Sequence, residues 1–203
     1  MARLKSPRLR QSLLQAATDV IAAEGLSATT AAIAKRAGTS SGSLFVYFDT
    51  KATLLNELYV GLKTEMAVHA TTGVDSCADA REQVHHMWTR WLTWATDEPN
   101  KRKALSHLQV SIDITEDSHR RVFAAYSQFA SVLDRSRGDG PLRDAPLTFV
   151  LALTNAMADT TIDAMLADPA AAADRSQDGF GAVWQVLAGG ASTPQPHPTS
   201  GPA

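Results

Sequence analysis

A single cysteine, Cys77, in 203 residues excludes an internal disulfide framework and a multi-cysteine zinc site. It reads as a free structural thiol. No apolar run reaches the ~18 residues needed to cross a bilayer. The basic N-terminus, Met1-Ala2-Arg3-Leu4-Lys5-Ser6-Pro7, is not followed by the apolar stretch of a secretory signal. A cytoplasmic protein with no membrane partner is expected. Strand-like alternation of apolar and polar residues is missing too, so the expected fold class is all-α. There is no HExxH, no phosphate-binding glycine loop, no GxSxG and no nucleophile–base set. Catalysis and a bound cofactor are therefore not expected.

What is present is unevenly placed. The net charge of -2 argues against a nucleic-acid partner until it is divided along the chain. Residues 1–51 hold seven basic against three acidic side chains, and the remainder twelve against eighteen. A basic end on an acidic body suits a small nucleic-acid-binding unit carried by a larger unit with another task.

The basic end also has a distinctive order of elements. Ser6-Pro7 is a helix start, and Leu9, Leu13, Ala17, Val20 and Ile21 follow at steps of three and four before Gly25. Thr29 or Thr30 caps a short helix whose small apolar face is Ile33, Ala34 and Ala37. Gly38 stands where a chain leaving a helix needs positive φ, which glycine adopts without a Cβ clash. Ser40 or Ser41 restarts a helix on which Leu44 and Phe48 pack back onto Ile33, with Ser41, Ser43 and Tyr47 on the other side. Asp49-Thr50 then caps a fourth helix with Leu54, Leu55, Leu58, Leu62 and Met66 on one side. Because no loop separates this helix from Tyr47, a tilt of one moves the other. Residues 1–8 form a basic arm, suited either to a phosphate backbone or to simple solvation.

The stretch from Arg10 to Leu55, with "LLQAATDVIAAEGLSATT", "IAKRAG", "SSGSLFVYF" and "KATLL", closely resembles the N-terminal DNA-binding domain of TetR-family transcriptional regulators. The resemblance covers about fifty of the 203 residues. It implies an all-helical homodimer with a C-terminal effector-binding domain, two long helices of which pair with those of a second copy. Family DNA contacts, carried over by position, fall on Thr29, Thr30, Ser40, Ser41, Ser43, Tyr47 and Lys51. Phe45 stands where the family often has tyrosine, which removes a hydroxyl. The short side chains of Ser40 to Ser43 cannot make bidentate base contacts, so base choice draws on Lys35, Arg36, water or DNA shape. The expected division is a DNA-binding unit with its arm over 1–50, a ligand and dimerisation domain over 51–188, and a disordered, proline-rich tail over 189–203.

The larger domain reads as helices throughout. On a helix that begins near Asp75 to Asp79 and runs to about Thr96, Val84, Met87, Trp88, Trp91, Leu92, Trp94 and Ala95 share one broad aromatic stripe. A helix from Asn100 to about Ile114 uses Leu105, Leu108 and Ile112. A third, capped at Thr115, uses Val122, Phe123, Tyr126, Phe129, Ala130 and Leu133, and ends before a loop over residues 135–141. An effector pocket is expected from His85, Trp88, Trp91, His107, Phe123, Tyr126, Asn155 and Asp159; the other reading of such a stripe is plain core. Over residues 146–166 a ridge of Ala152, Ala156, Thr160 and Ala164 lets another helix approach closely. The expected dimer seam is Phe149, Ala152, Leu153, Ala156, Thr160, Phe180, Val183, Trp184 and Leu187.

The expected function is that of a DNA-binding repressor, a homodimer released from a palindromic double-stranded operator by a small, largely apolar effector. Two alternatives remain. One is a DNA-binding dimer without an effector. The other is a helical-bundle metalloenzyme, since Glu82/His85 and Glu116/His119 have Glu-x-x-His spacing. The mid-helix glutamates that such a centre needs on two further helices are missing.

Overall fold

The computed structural model describes residues 6–189. Residues 1–5 of the arm expected over 1–8, and residues 190–203 of the expected tail, lie outside them, while residues 6–8 form the cap and first turn of the first helix. Ten α-helices and two single 3-10 turns make up the described residues, which contain no strand.

Helix α1 (Pro7–Glu24) starts on proline and stops at Gly25, whose φ is +67°. A 3-10 turn, Gly25–Ser27, leads to α2 (Thr30–Arg36), α3 (Ser41–Tyr47) and α4 (Lys51–Thr71). Each of the last three is capped by a hydroxyl. Thr29 accepts from the Ala32 N–H, Ser40 from that of Ser43 and Thr50 from that of Thr53, satisfying donors the helix leaves open. Leu13, Ile21, Ile33, Leu44 and Phe48 are completely buried where α1, α2 and α3 meet.

The body follows as α5 (Ala80–Asp97), α6 (Pro99–Gln109), α7 (Glu116–Ala125), α8 (Ser127–Ser136), α9 (Leu147–Ala167) and α10 (Ala172–Ala188). Helix α4 runs along α5, which in turn is covered by α8, α9 and α10. Helix α6 crosses between α1 and α4, so the N-terminal unit and the body share one continuous core. The tryptophan-bearing stripe of α5 is buried throughout: Val84, Met87, Trp88, Trp91, Leu92, Trp94 and Ala95 are all at most 5% exposed.

Two boundaries differ from the sequence reading. Helix α6 ends at Gln109, and Ile112, expected on its apolar side, is fully exposed. The cause lies on α4. The Asn56 amide donates to the Asp113 carbonyl at 2.7 Å, and its oxygen accepts from the Thr115 N–H at 2.9 Å and the Ser118 hydroxyl at 2.6 Å. This clamp draws the chain out of α6 and starts α7. The helix expected from Thr115 is also broken at Tyr126, where ψ is 0° and the N–H is shared between the Val122 and Phe123 carbonyls. The break lets Phe129 and Leu133 enter the core while Phe123 stays 53% exposed. Helix α8 then continues through Ser136, into the expected loop.

Helix α10 lies close enough to its neighbours to require glycine at 179. A Cβ there would run into the Thr161 side chain and come within 2.8 Å of the Trp88 ring.

Candidate nucleic-acid interface and ligand cleft

The α2–α3 pair is a helix-turn-helix. Gly38, at φ +69°, donates to the Lys35 carbonyl, and Thr39 donates to that of Ala34, closing the end of α2. Burying Ile33, Ala34, Leu44 and Phe48 inward turns the opposite side of both helices to solvent. On that outer surface Thr29, Lys35, Arg36, Ser40, Gly42, Phe45 and Val46 are exposed, while Thr30, Ser41, Ser43, Tyr47 and Lys51 are half-buried.

Several of the expected contact groups already have partners. Arg36 donates to the Asp19 carboxylate of α1 through Nε and Nη2, at 3.2 and 2.9 Å. Lys51 Nζ donates to the Leu26 carbonyl at 2.8 Å, and the Tyr47 hydroxyl accepts from the Ser6 N–H at 2.7 Å. Ser40 and Ser43 share a hydroxyl–hydroxyl bond at 3.1 Å. Lys35, by contrast, is exposed at the last turn of α2.

Val46 is the residue sequence reasoning passed over, and Phe45 stood out there only for the hydroxyl it lacks. Phe45 and Val46 are 44% and 54% exposed on α3, where only a helix-by-helix sorting of inner and outer faces singles them out. An apolar surface on a groove-facing helix can contact the C5 methyl of thymine.

The expected pocket residues divide into separate places. Trp91, Asn155 and Asp159 come together in a cleft of about 20 Å³ whose walls also include Lys63, Met66, Trp94, Arg102 and Gln109. The other five do not line it. His85 is exposed and lies edge-on to Phe180. Trp88 is locked in the core by an Nε1 hydrogen bond to the Ser176 carbonyl at 3.0 Å. The His107 ring faces Gly25, 3.5 Å from where a Cβ on that glycine would sit. Phe123 points outward beside Glu116, His119 and Arg120. Tyr126 stacks its edge near Phe129 and carries a buried hydroxyl with no partner.

Lys63 is the unexpected member of the cleft. It is 7% exposed, donates to Gln109 Oε1 at 2.8 Å and lies over the Tyr126 ring. Burial holds its pKa down to about 8, with the Asp159 charge acting in the opposite sense. Burial also raises the Asp159 carboxyl, more than Arg102 and Lys63 lower it. At the rim Arg102 donates to Asp163 at 2.7 Å and lies 3.8 Å from Asp159, tying α6 to α9. A sequence signal for Lys63 existed: it follows Tyr59 by four and precedes Met66 by three, on one face of α4.

The expected seam residues are also divided. Phe180, Val183 and Leu187 are at most 6% exposed and are spent on the protomer's own core. Their spacing makes a single stripe on α10, and that stripe faces α9 and α5. Leu153 and Trp184 are half-buried, whereas Phe149, Ala152, Ala156 and Thr160 face outward. Ala156 and Thr160 border an open apolar groove of about 330 Å³ with Met157, Thr161, Gly179 and Ala182. Among the described residues no group of three or more His, Cys, Asp or Glu side chains is placed to hold a metal, and no helix is long and apolar enough to cross a membrane.

With this geometry in view, the comparisons with known proteins point the same way. Residues 13–58 match the family model described as bacterial regulatory proteins, tetR family. A TetR-family transcription regulator from Shewanella sp. PV-4 is 23% identical, with a TM-score of 0.80 over 89% of this chain and 98% of that one. The TetR-like regulator LfrR from Mycobacterium smegmatis, solved with proflavine, is 16% identical, with a TM-score of 0.61 over 89% and 95%. The regulator FadR from Bacillus subtilis, solved with stearoyl-CoA, is 15% identical, with a TM-score of 0.65 over 88% and 98%. At these identities the structural likeness is one of fold. Residues 13–58 thus match the tetR family of bacterial regulatory proteins, and the described residues share the fold of the TetR-family transcription regulators they resemble.

Proposed function

We propose that the protein is a homodimeric DNA-binding transcriptional repressor released from its operator by a small effector. The observation that carries this reading is the outward face of the α2–Gly38–α3 unit. Its buried side is all apolar, and its free side offers a lysine, hydroxyls and two exposed apolar residues. In this reading α3 enters the major groove. Thr29, Thr30, Ser40, Ser41, Ser43, Tyr47 and Lys51 grip phosphates, Lys35 adds charge, and Phe45 and Val46 contact thymine methyls. Residues 1–50 are the DNA-binding unit, and residues 51–188 the ligand and dimerisation domain.

The seam is proposed to be the outward face of α9 and α10 around Phe149, Ala152, Ala156 and Thr160, where small residues permit close helix approach. Such a dimer presents two units to half-sites about 34–36 Å apart. The ligand site is proposed to be the cleft walled by Lys63, Trp91, Arg102, Asn155 and Asp159. The crystallised complexes of LfrR with proflavine and FadR with stearoyl-CoA support a ligand role for this fold. Helix α6 joins the two ends, with Arg102 and Gln109 at the cleft and His107 against Gly25.

Selection of bound sequences from random DNA, followed by titration of the selected site, tests the DNA function. A palindromic consensus bound by the dimer is expected, and failure to enrich any sequence would overturn it. The competing reading, a DNA-binding dimer without an effector, is favoured if broad ligand screening finds nothing that releases the DNA.

A further inference from the structure

The cleft between α6 and α9 has more than a location. Its two cationic donors, Lys63 and Arg102, are more deeply buried than its carboxylate. The Lys63 ammonium is buried with a neutral amide, Gln109 Oε1, as its hydrogen-bond acceptor, and no carboxylate lies within ion-pairing distance of it among the described residues. Burying an ion with no carboxylate in direct contact is costly, since Asp159 acts on Lys63 only from beyond ion-pairing distance, and a ligand anion would relieve that cost. Arg102 adds a second cationic donor, whose Nε is buried without a partner. The cleft's carboxylate, Asp159, is 57% exposed at the rim, where Arg102 already faces it. A cationic ligand seated there would meet Lys63 and Arg102. Met66, Trp91, Trp94, Leu105 and Ile162 give the cleft an apolar wall, and Ser106 and Asn155 add neutral polar groups.

We infer that this cleft takes a monocarboxylate with an apolar body, its carboxylate held by Lys63 and Arg102 and its body lying against Trp91 and Trp94. The inference rests on the effector-regulated reading above. The cleft of about 20 Å³ has room for roughly one water, so the ligand's body enters only as α6 parts from α9. Helices α6 and α9 are tied at the rim by Arg102 and Asp163. A ligand carboxylate competes for that same guanidinium, so the group that anchors the ligand also loosens the tie. Movement of α6 then reaches the N-terminal unit through His107 and Gly25.

The test is a matched series read by quenching of tryptophan fluorescence and by release of selected DNA. Benzoate, phenylacetate and octanoate are compared with their primary amides and with benzylamine, phenethylamine and octylamine. At least one acid is expected to bind at least about tenfold more tightly than its amide and amine, as a charge-assisted hydrogen bond to a buried lysine requires. Lys63→Met and Arg102→Gln are each expected to reduce that acid preference about tenfold or more, with helical content and melting recorded to show that both variants fold. Equal binding of acid and amide, tighter binding of the amine, or an unchanged preference in folded Lys63→Met would overturn the inference. If no acid binds but a neutral or cationic compound from a screen releases DNA, the carboxylate claim fails and the effector reading stands. If no compound of any class releases DNA, both fail.

Discussion

Lys63 on α4 meets Gln109 on α6 at 2.8 Å, a buried ammonium answered by a neutral amide. Because burial holds its pKa at about 8 against an ordinary 10.5, the folded chain is penalised wherever the lysine is charged. The groups around it are Asp159, Arg102 and Tyr126, and the Asp159 charge opposes the shift without cancelling it. Below pH 8 both folded and unfolded chains hold the proton and the penalty is complete. Between 8 and 10.5 the unfolded chain binds more protons, so stability rises with pH. Lys63→Met is expected to stabilise the protein at pH 7 by about 2 kcal/mol, the relief of about 3 less the lost hydrogen bond. The gain should shrink at pH 10. Urea unfolding at both pH values measures it, and an equal difference at the two would contradict the burial account.

Asn56 is expected to be among the most sensitive polar positions. Asn56→Ala leaves the Asp113 carbonyl and the Thr115 and Ser118 donors without their partner, a loss of about 2–3 kcal/mol at about 1 per bond. Hydrogen exchange should quicken first at the start of α7. Uniformly faster exchange with no emphasis there would argue against a local clamp.

Gly179→Ala should cost about 1–3 kcal/mol, because the added methyl meets Thr161 and Trp88 and α10 must shift to admit it. Gly181→Ala, two residues along with open space around its Cβ position, is the control and should be neutral or mildly stabilising. Similar melting of the two variants would show that α10 is not held closely.

The outer face of the helix-turn-helix predicts a division of labour. Lys35→Ala should reduce the salt dependence of DNA binding by about one counterion while preserving sequence preference. Phe45→Ala should leave the salt slope alone and relax preference at one or two base pairs, by about 1–3 kcal/mol each. Arg36→Ala should change stability by less than about 1 kcal/mol, since its pair with Asp19 is largely solvent-exposed. Binding isotherms at several salt concentrations on selected and mismatched sites separate these outcomes.

Ala156→Glu places a charge on the outward α9 groove without touching the core. Sedimentation should show dissociation into folded protomers and weaker operator binding. A variant that remains dimeric would move the seam elsewhere.

The elements whose boundaries depend on neighbouring residues were legible in the chain. Caps at Thr29, Ser40, Thr50, Asp79 and Thr115 work through hydroxyl or carboxylate bonds spanning three residues, and Gly25 and Gly38 mark ends that need positive φ. What was hidden is tertiary. Asn56 ends α6 and begins α7 from some sixty residues away. The break at Tyr126 has neither proline nor glycine beside it. The stripe of Phe180, Val183 and Leu187 is the same in sequence whether it faces its own protomer or a second copy. The aromatic stripe of α5 likewise announces burial, but only the packing of α6 and α9 distinguishes Trp91 at the cleft from Trp88 in the core.

Lys51, the first residue of α4, holds the Leu26 carbonyl just before α2, and Arg10 of α1 pairs with Glu57 one and a half turns further on. One end of a helix about 31 Å long is thereby riveted at two points to the N-terminal unit. Its other parts carry Lys63 and the floor of the cleft. Such a rod converts angle into distance: Lys63 lies about 18 Å along the axis from Lys51, so a rotation of about 5° about Lys63 sweeps the riveted end by about 1.6 Å, roughly half a hydrogen-bond length. Under the proposed regulation, a tilt of α4 at Lys63 would reach the helix-turn-helix as displacement.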